Sequence, residues 1–151
     1  MGLDMYLYKK TYVQNLKHMK EGELHRVSVK RGGKERSDIK PERIIYITEQ
    51  VLYWRKFYAL HKWFVDNCQD GKDDCKDSYV SLEKLKLLRN TLNAAMIAPA
   101  EFAGDILPTQ EGFFFGDTKY SEYYFESIKE VITLIDELLI EGGDFCYHSS
   151  W

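Results

Sequence analysis

Two segments, one near each end of the chain, alternate with the period of a β-strand. Leu3-Asp4-Met5-Tyr6-Leu7-Tyr8 puts Leu3, Met5 and Leu7 on one face and Asp4, Tyr6 and Tyr8 on the other. Residues 144–151 repeat the pattern, with Phe145, Tyr147 and Ser149 on one face and Cys146, His148 and Ser150 on the other. Successive side chains of a strand point to opposite sides, so each segment brings one face to a core and one face elsewhere. The expectation is that the two segments belong to one sheet.

Between them the pattern is mixed. Residues 24–30 (LHRVSVK) read as a further strand, and Arg31-Gly32-Gly33-Lys34 carries a turn signal. From Ile44 the spacing becomes helical: Tyr53, Phe57, Leu60 and Phe64 fall at i, i+4, i+7 and i+11, which predicts a helix over residues 49–67. The polar stretch CQDGKDDCKDS ends it. Ser81 is a candidate N-cap for a second helix carrying Leu82, Leu85, Leu88 and Leu92. Gly112-Phe113-Phe114-Phe115-Gly116 reads as a short strand fenced by glycines. A third helix runs through Tyr124, Ile128, Ile132, Ile135 and Leu139 and stops at Gly142-Gly143. This order predicts an α+β fold: a small, mostly antiparallel sheet, N- and C-terminal strands included, packed with about three helices. With 151 residues, 44% of them hydrophobic, the chain is expected to form a single globular domain over residues 1–151.

Charge is unevenly distributed. Residues 1–62 hold 14 Lys and Arg against 7 Asp and Glu, whereas residues 63–151 hold 7 against 17. Such a dipole suits an anion on one side, or two subunits meeting through opposite halves, so a homo-oligomer is one expectation. The blander alternative is neutralisation within one fold. No apolar run approaches the ~20 residues that span a bilayer, so no membrane partner is expected. Three cysteines, Cys68, Cys75 and Cys146, with no recognisable leader read as free thiols in a cytoplasm.

Four constellations bear on chemistry. On the expected helix, Trp54, Tyr58 and His61 form one line and Arg55 and Lys62 a second, the ring-plus-cation combination that stacks a base and holds a phosphate. Its alternative is an amphipathic helix with an aromatic core face. Residues 112–127 deliver the chain to a helix start where Asp117, Thr118 and Ser121 sit at capping positions, with Tyr120 nearby; free N–H groups there bind anions or are simply capped. Residues 66–77 imitate a calcium loop, but Cys68, Asp73 and Asp77 stand at positions where a calcium ligand, a hydrophobe and a bidentate Glu belong. No zinc spacing, P-loop, helix-turn-helix or RNA-binding motif occurs, so no metal and no cofactor is expected and DNA is an unlikely partner. A Cys146–His61 nucleophile pair is conceivable from residue types alone.

MGLDMYLY, YWRK with HKWFV, GFFFGDTKYSEYY and the terminal SSW together resemble a family of small proteins encoded by bacteriophages and prophages. The resemblance spans nearly the whole chain and departs at Cys146-Tyr147-His148, where another aromatic and a glutamine belong. It implies a non-catalytic protein that acts on the host by binding. The first expectation is a small anionic, nucleotide-like ligand, such as an antiphage signalling nucleotide, held by Tyr6, Trp54, Arg55, Tyr58, His61, Lys62, Thr118 and Tyr120. The alternative is a host protein, bound and inhibited through an aromatic and acidic surface.

Overall fold

The computed structural model describes residues 2–98, 100–108 and 122–151. In chain order the strands are β1 (Asp4–Tyr12), β2 (Lys30–Arg31), β3 (Lys34–Glu35), β4 (Tyr46–Arg55), β5 (Ser78–Val80) and β6 (Asp144–Ser150). The helices are α1 (Tyr58–Cys68), α2 (Leu82–Ile97), α3 (Ala103–Ile106, a single turn) and α4 (Glu122–Glu141), and among the described residues three 3₁₀ turns, the last leading directly into α3, complete the set. The chain divides into two compact units, residues 1–9 with 50–151 and residues 10–49, and β1 and β4 contribute residues to both.

The larger unit is the α+β fold expected from the sequence. A four-stranded antiparallel sheet has the order β4-β1-β6-β5, so the first and last strands are central neighbours. β5 pairs with β6 through Ser78↔Tyr147, Tyr79↔Cys146 and Val80↔Phe145. Alternation then sorts the side chains. Leu3, Met5, Leu7, Val80, Phe145 and Tyr147 are buried and belong to one core with Leu60 and Phe64 of α1, Leu85, Leu88 and Leu92 of α2, and Ile128, Val131 and Ile135 of α4. Phe64 stacks face to face on Tyr147, with ring centroids 4.1 Å apart. Ser81 caps α2 as its position suggests, its hydroxyl accepting from the Lys84 N–H at 3.2 Å. Gly142, at φ +70°, closes α4, its N–H donating to the Leu138 carbonyl at 2.9 Å.

One expected element is different. The helix predicted over residues 49–67 begins only at Tyr58, and Tyr46–Arg55 is a strand. The segment holds Ile47, Thr48, Val51, Tyr53 and Trp54, β-branched and aromatic residues that fit a pleated surface. Its burial alternates, with Leu52 buried and Tyr53 and Arg55 exposed. Lys56, at φ +57°, then turns the chain between strand and helix, and its N–H donates to the Leu3 carbonyl. The spacing Tyr53–Phe57–Leu60–Phe64 therefore straddles two elements.

The smaller unit is built differently. Of the expected strand over residues 24–30 only the end is a strand, where β2 and β3 form a two-residue hairpin with Lys30↔Glu35 and Arg31↔Lys34 in register. Gly32 and Gly33 both take positive φ, the geometry that a tight hairpin turn demands. The Asn15 side chain accepts from the His25 N–H at 2.7 Å and donates to the His25 carbonyl at 2.8 Å, holding the two stretches together. Val13 is the one buried side chain among residues 10–49. The strand expected at Phe113–Phe115 lies outside the described residues.

Phe64→Ala is expected to lower unfolding stability by about 3–5 kcal/mol, because it empties a fully buried site against Tyr147. Tyr79→Ser, on the opposite side of the sheet, should change it by about 0.5 kcal/mol or less. Urea denaturation of both variants checks this; equal losses would contradict a core confined to one face.

Candidate functional site

The ring-and-cation line expected on one helix is dispersed. Trp54 lies on β4 with its ring half-buried against Phe64, at a centroid distance of 6.4 Å. Arg55 is also on β4 but points to the other side, its Nε 3.7 Å from Asp4 Oδ1. Tyr58 and His61 are buried in α1. Lys62 donates to Asp66 Oδ2 at 2.6 Å and lines a cavity of about 260 Å³ with Ala59, Trp63, Leu87 and Leu107. Tyr6 projects from the outer face of β1. Thr118 and Tyr120 lie outside the described residues. Of the described ones, Tyr6 and Arg55 lie on the outer side of the sheet, whereas Trp54, Tyr58 and His61 lie on the core side.

His61 is fully buried and has specific partners. Its Nε2 is 2.9 Å from Asp73 Oδ2, and its Nδ1 is 2.7 Å from the Tyr147 hydroxyl. A carboxylate only accepts, so Nε2–H donates to Asp73; Nδ1 of the neutral ring then accepts from the phenol O–H. Trp151 Nε1–H donates to the other Asp73 oxygen at 3.1 Å. Burial, with Asp73 beside it, pushes the Tyr147 phenol well above its usual value, which keeps that proton in place. The network ties residues 69–77 to α1 and β6. Both imidazole nitrogens are engaged inside the core, so His61 has none directed at a ligand. In the sequence Asp73 reads only as a mismatch to a calcium loop and Tyr147 only as one face of the last strand; no spacing joins either to His61. Cys146 Sγ lies 3.9 Å from the Tyr147 carbonyl, and burial pushes the Cys68 thiol up to about 11. Among the described residues no group of three or more His, Cys, Asp or Glu is placed to hold a metal ion.

The chemistry-bearing surface is the opposite face of the sheet. Tyr6 sits at the centre of a ring cluster, 5.9 Å from Tyr8 in parallel orientation, 5.3 Å from Tyr53 and 5.8 Å from His148. Carboxylates surround it. The Tyr53 hydroxyl donates to Asp4 Oδ1 at 2.6 Å, His148 Nδ1 lies 2.9 Å from Asp77 Oδ1, and the Tyr79 hydroxyl donates to Asp144 Oδ1 at 3.4 Å. Partial burial and the neighbouring Tyr6 and Asp77 raise the Tyr8 phenol above its usual value, and the Asp4 hydrogen bond does the same for Tyr53. Three acids thus accompany one arginine, Arg55. Tyr53 and Tyr79 remain 49% and 64% exposed, while the buried faces of α1, α2 and α4 meet the other side of the sheet.

No protein family, no curated protein and no solved structure matches the chain. Among the described residues no helix is long and apolar enough to cross a membrane.

Alkaline pH is expected to destabilise the fold. The raised Cys68 and Tyr147 values mean that the folded chain holds protons that the unfolded chain releases first. Their contribution is complete below about pH 9, is lost for the thiol between 9.0 and about 11, and for the phenol at higher pH. Urea midpoints measured across this range should fall, and Tyr147→Phe should remove the later part only. The same variant should cost about 1–3 kcal/mol at neutral pH, since it leaves His61 Nδ1 without its donor.

Proposed function

We propose that the chain is a non-catalytic docking protein whose outer sheet face receives a basic protein surface. The observation that carries this reading is the Tyr6-centred ring cluster bordered by Asp4, Asp77 and Asp144. Tyrosine rings offer wide contact area while losing little side-chain freedom, because each has only two torsions to fix. Arg and Lys stack on such rings, and carboxylates at the margin accept their N–H groups. The same margin repels phosphate, which turns the reading from an anionic nucleotide toward a cationic partner. The likeness to phage-encoded proteins supplies a setting: a host protein with a basic surface, bound and inhibited.

Titration with a short arginine–glycine repeat peptide, followed by NMR, tests the reading against cyclic dinucleotides as control. Shifts should concentrate on Tyr6, Tyr8, Tyr53, Tyr79 and His148. Tyr6→Ala should weaken binding about 30-fold, the loss of about 2 kcal/mol expected for a central aromatic anchor. Binding of the nucleotide and not the peptide would overturn the proposal, as would shifts scattered over other surfaces.

A further inference from the structure

The unit formed by residues 10–49 has almost no interior of its own. Of its side chains only Val13 is buried, and in place of a core it surrounds a solvent-open hollow of about 480 Å³ between Val13, Arg26 and Ile44. Six large apolar residues, Tyr12, Leu16, Val29, Ile45, Tyr46 and Ile47, are between 37% and 57% exposed. A segment this size cannot bury enough of its own surface to offset the entropy of ordering it. Tyr12 and Tyr46 are in ring contact, their centroids 5.4 Å apart, and exposed apolar side chains that gather in this way are what an interface covers.

The division into units is also a division of charge. Residues 10–49 carry ten Lys and Arg against six Asp and Glu, a net charge of +4. The rest of the chain carries eleven against eighteen, a net charge of −7. Within the smaller unit, the hairpin presents Lys30, Arg31 and Lys34 on exposed positions beside the tight Gly32-Gly33 turn. A nucleic acid would use the cations, but the aliphatic side chains of Leu16, Val29, Ile45 and Ile47 have nothing to meet on a phosphate backbone. They need a protein surface that is apolar in its middle and acidic at its border. The ring cluster around Tyr6, with Asp4, Asp77 and Asp144, is such a surface.

We infer that two copies of this chain associate, the basic 10–49 unit of each lying on the aromatic, acidic sheet face of the other. The inference rests on the docking role proposed for that face and names its occupant. A two-fold arrangement forms both contacts at once, which doubles the area covered for a single loss of translational freedom. Because cations meet carboxylates, the association weakens as salt rises. The same face cannot hold a second copy and another basic protein together, so self-association competes with any other partner.

Sedimentation velocity over a concentration series, at low and at high salt, reads the outcome. The wild-type chain should pass from monomer to dimer, with the midpoint rising at least about tenfold in high salt. Two charge-reversed variants make the test specific. Lys30→Glu with Arg31→Glu gives the small unit an acidic hairpin; Asp77→Lys with Asp144→Lys gives the sheet face basic groups. Each variant alone should remain monomeric, because like charges then face each other. An equimolar mixture should recover a dimer, since both contacts become complementary again, and that recovery also shows that both variants are folded. A wild-type chain that stays monomeric at every concentration in low salt would overturn the inference, and so would a dimer indifferent to both reversals. Binding of a single-stranded oligonucleotide by the wild-type chain in place of self-association would do the same. The arginine–glycine peptide separates this failure from the larger one: a monomeric chain whose sheet face still binds the peptide keeps its docking role and loses only the second copy as occupant.

Discussion

The pairing of β1 with β6 at the centre of the sheet is the constraint on which the rest of the molecule depends. Both strands alternate between the two faces, so placing them side by side sorts their side chains into two continuous surfaces, with Cys146 buried on the outer one. Leu3, Met5, Leu7, Phe145 and Tyr147 become the floor beneath the helices, while Tyr6, Tyr8 and His148 come together on the far side. A slip of one residue in either strand would exchange the two sets, putting leucines in water and tyrosine hydroxyls in the core. The hydrophobic effect therefore fixes the register, and the ring cluster follows from it.

The buried polar network is the second consequence. Tyr147 reaches the core because of its place on β6, and its hydroxyl there must find a partner. His61, one turn into α1, supplies it, and the imidazole in turn requires an acceptor, which Asp73 provides. Three residues far apart in sequence are thus held by the cost that each would incur alone. The chain between α1 and β5 is anchored by this carboxylate.

Legibility in the sequence followed period and length. The alternation at Leu3–Tyr8 and Phe145–Ser149 and the leucine spacing of α2 were readable because each repeats over several turns or pleats. The Ser81 cap and the Gly142-Gly143 stop were readable because a single residue carries the backbone geometry. The strand Tyr46–Arg55 was misread because Tyr53 and Phe57 happen to continue the spacing of Leu60 and Phe64, and four matches at helical spacing outweighed the β-branched content of the window. β5 is three residues long, too short for any period to register. The error at β4 dispersed the expected ring-and-cation pocket: Trp54 went to the core side of the sheet and Arg55 to the outer side. Tyr6 was placed on the correct face of its strand, but its neighbours Tyr53 and His148 come from strands whose order no local pattern reveals.

Charge is segregated between the two units, and apolar from aromatic–acidic side chains across the sheet. All of this rests on one face of the sheet being covered and the other open. Nitration with tetranitromethane at high dilution and high salt, mapped residue by residue by mass spectrometry, tests that division most directly. Tyr53 and Tyr79 should be modified in the folded chain, while Tyr124 and Tyr147, both buried, should resist until the chain unfolds. Nitration of Tyr147 as fast as Tyr79, or protection of both Tyr53 and Tyr79, would contradict the account.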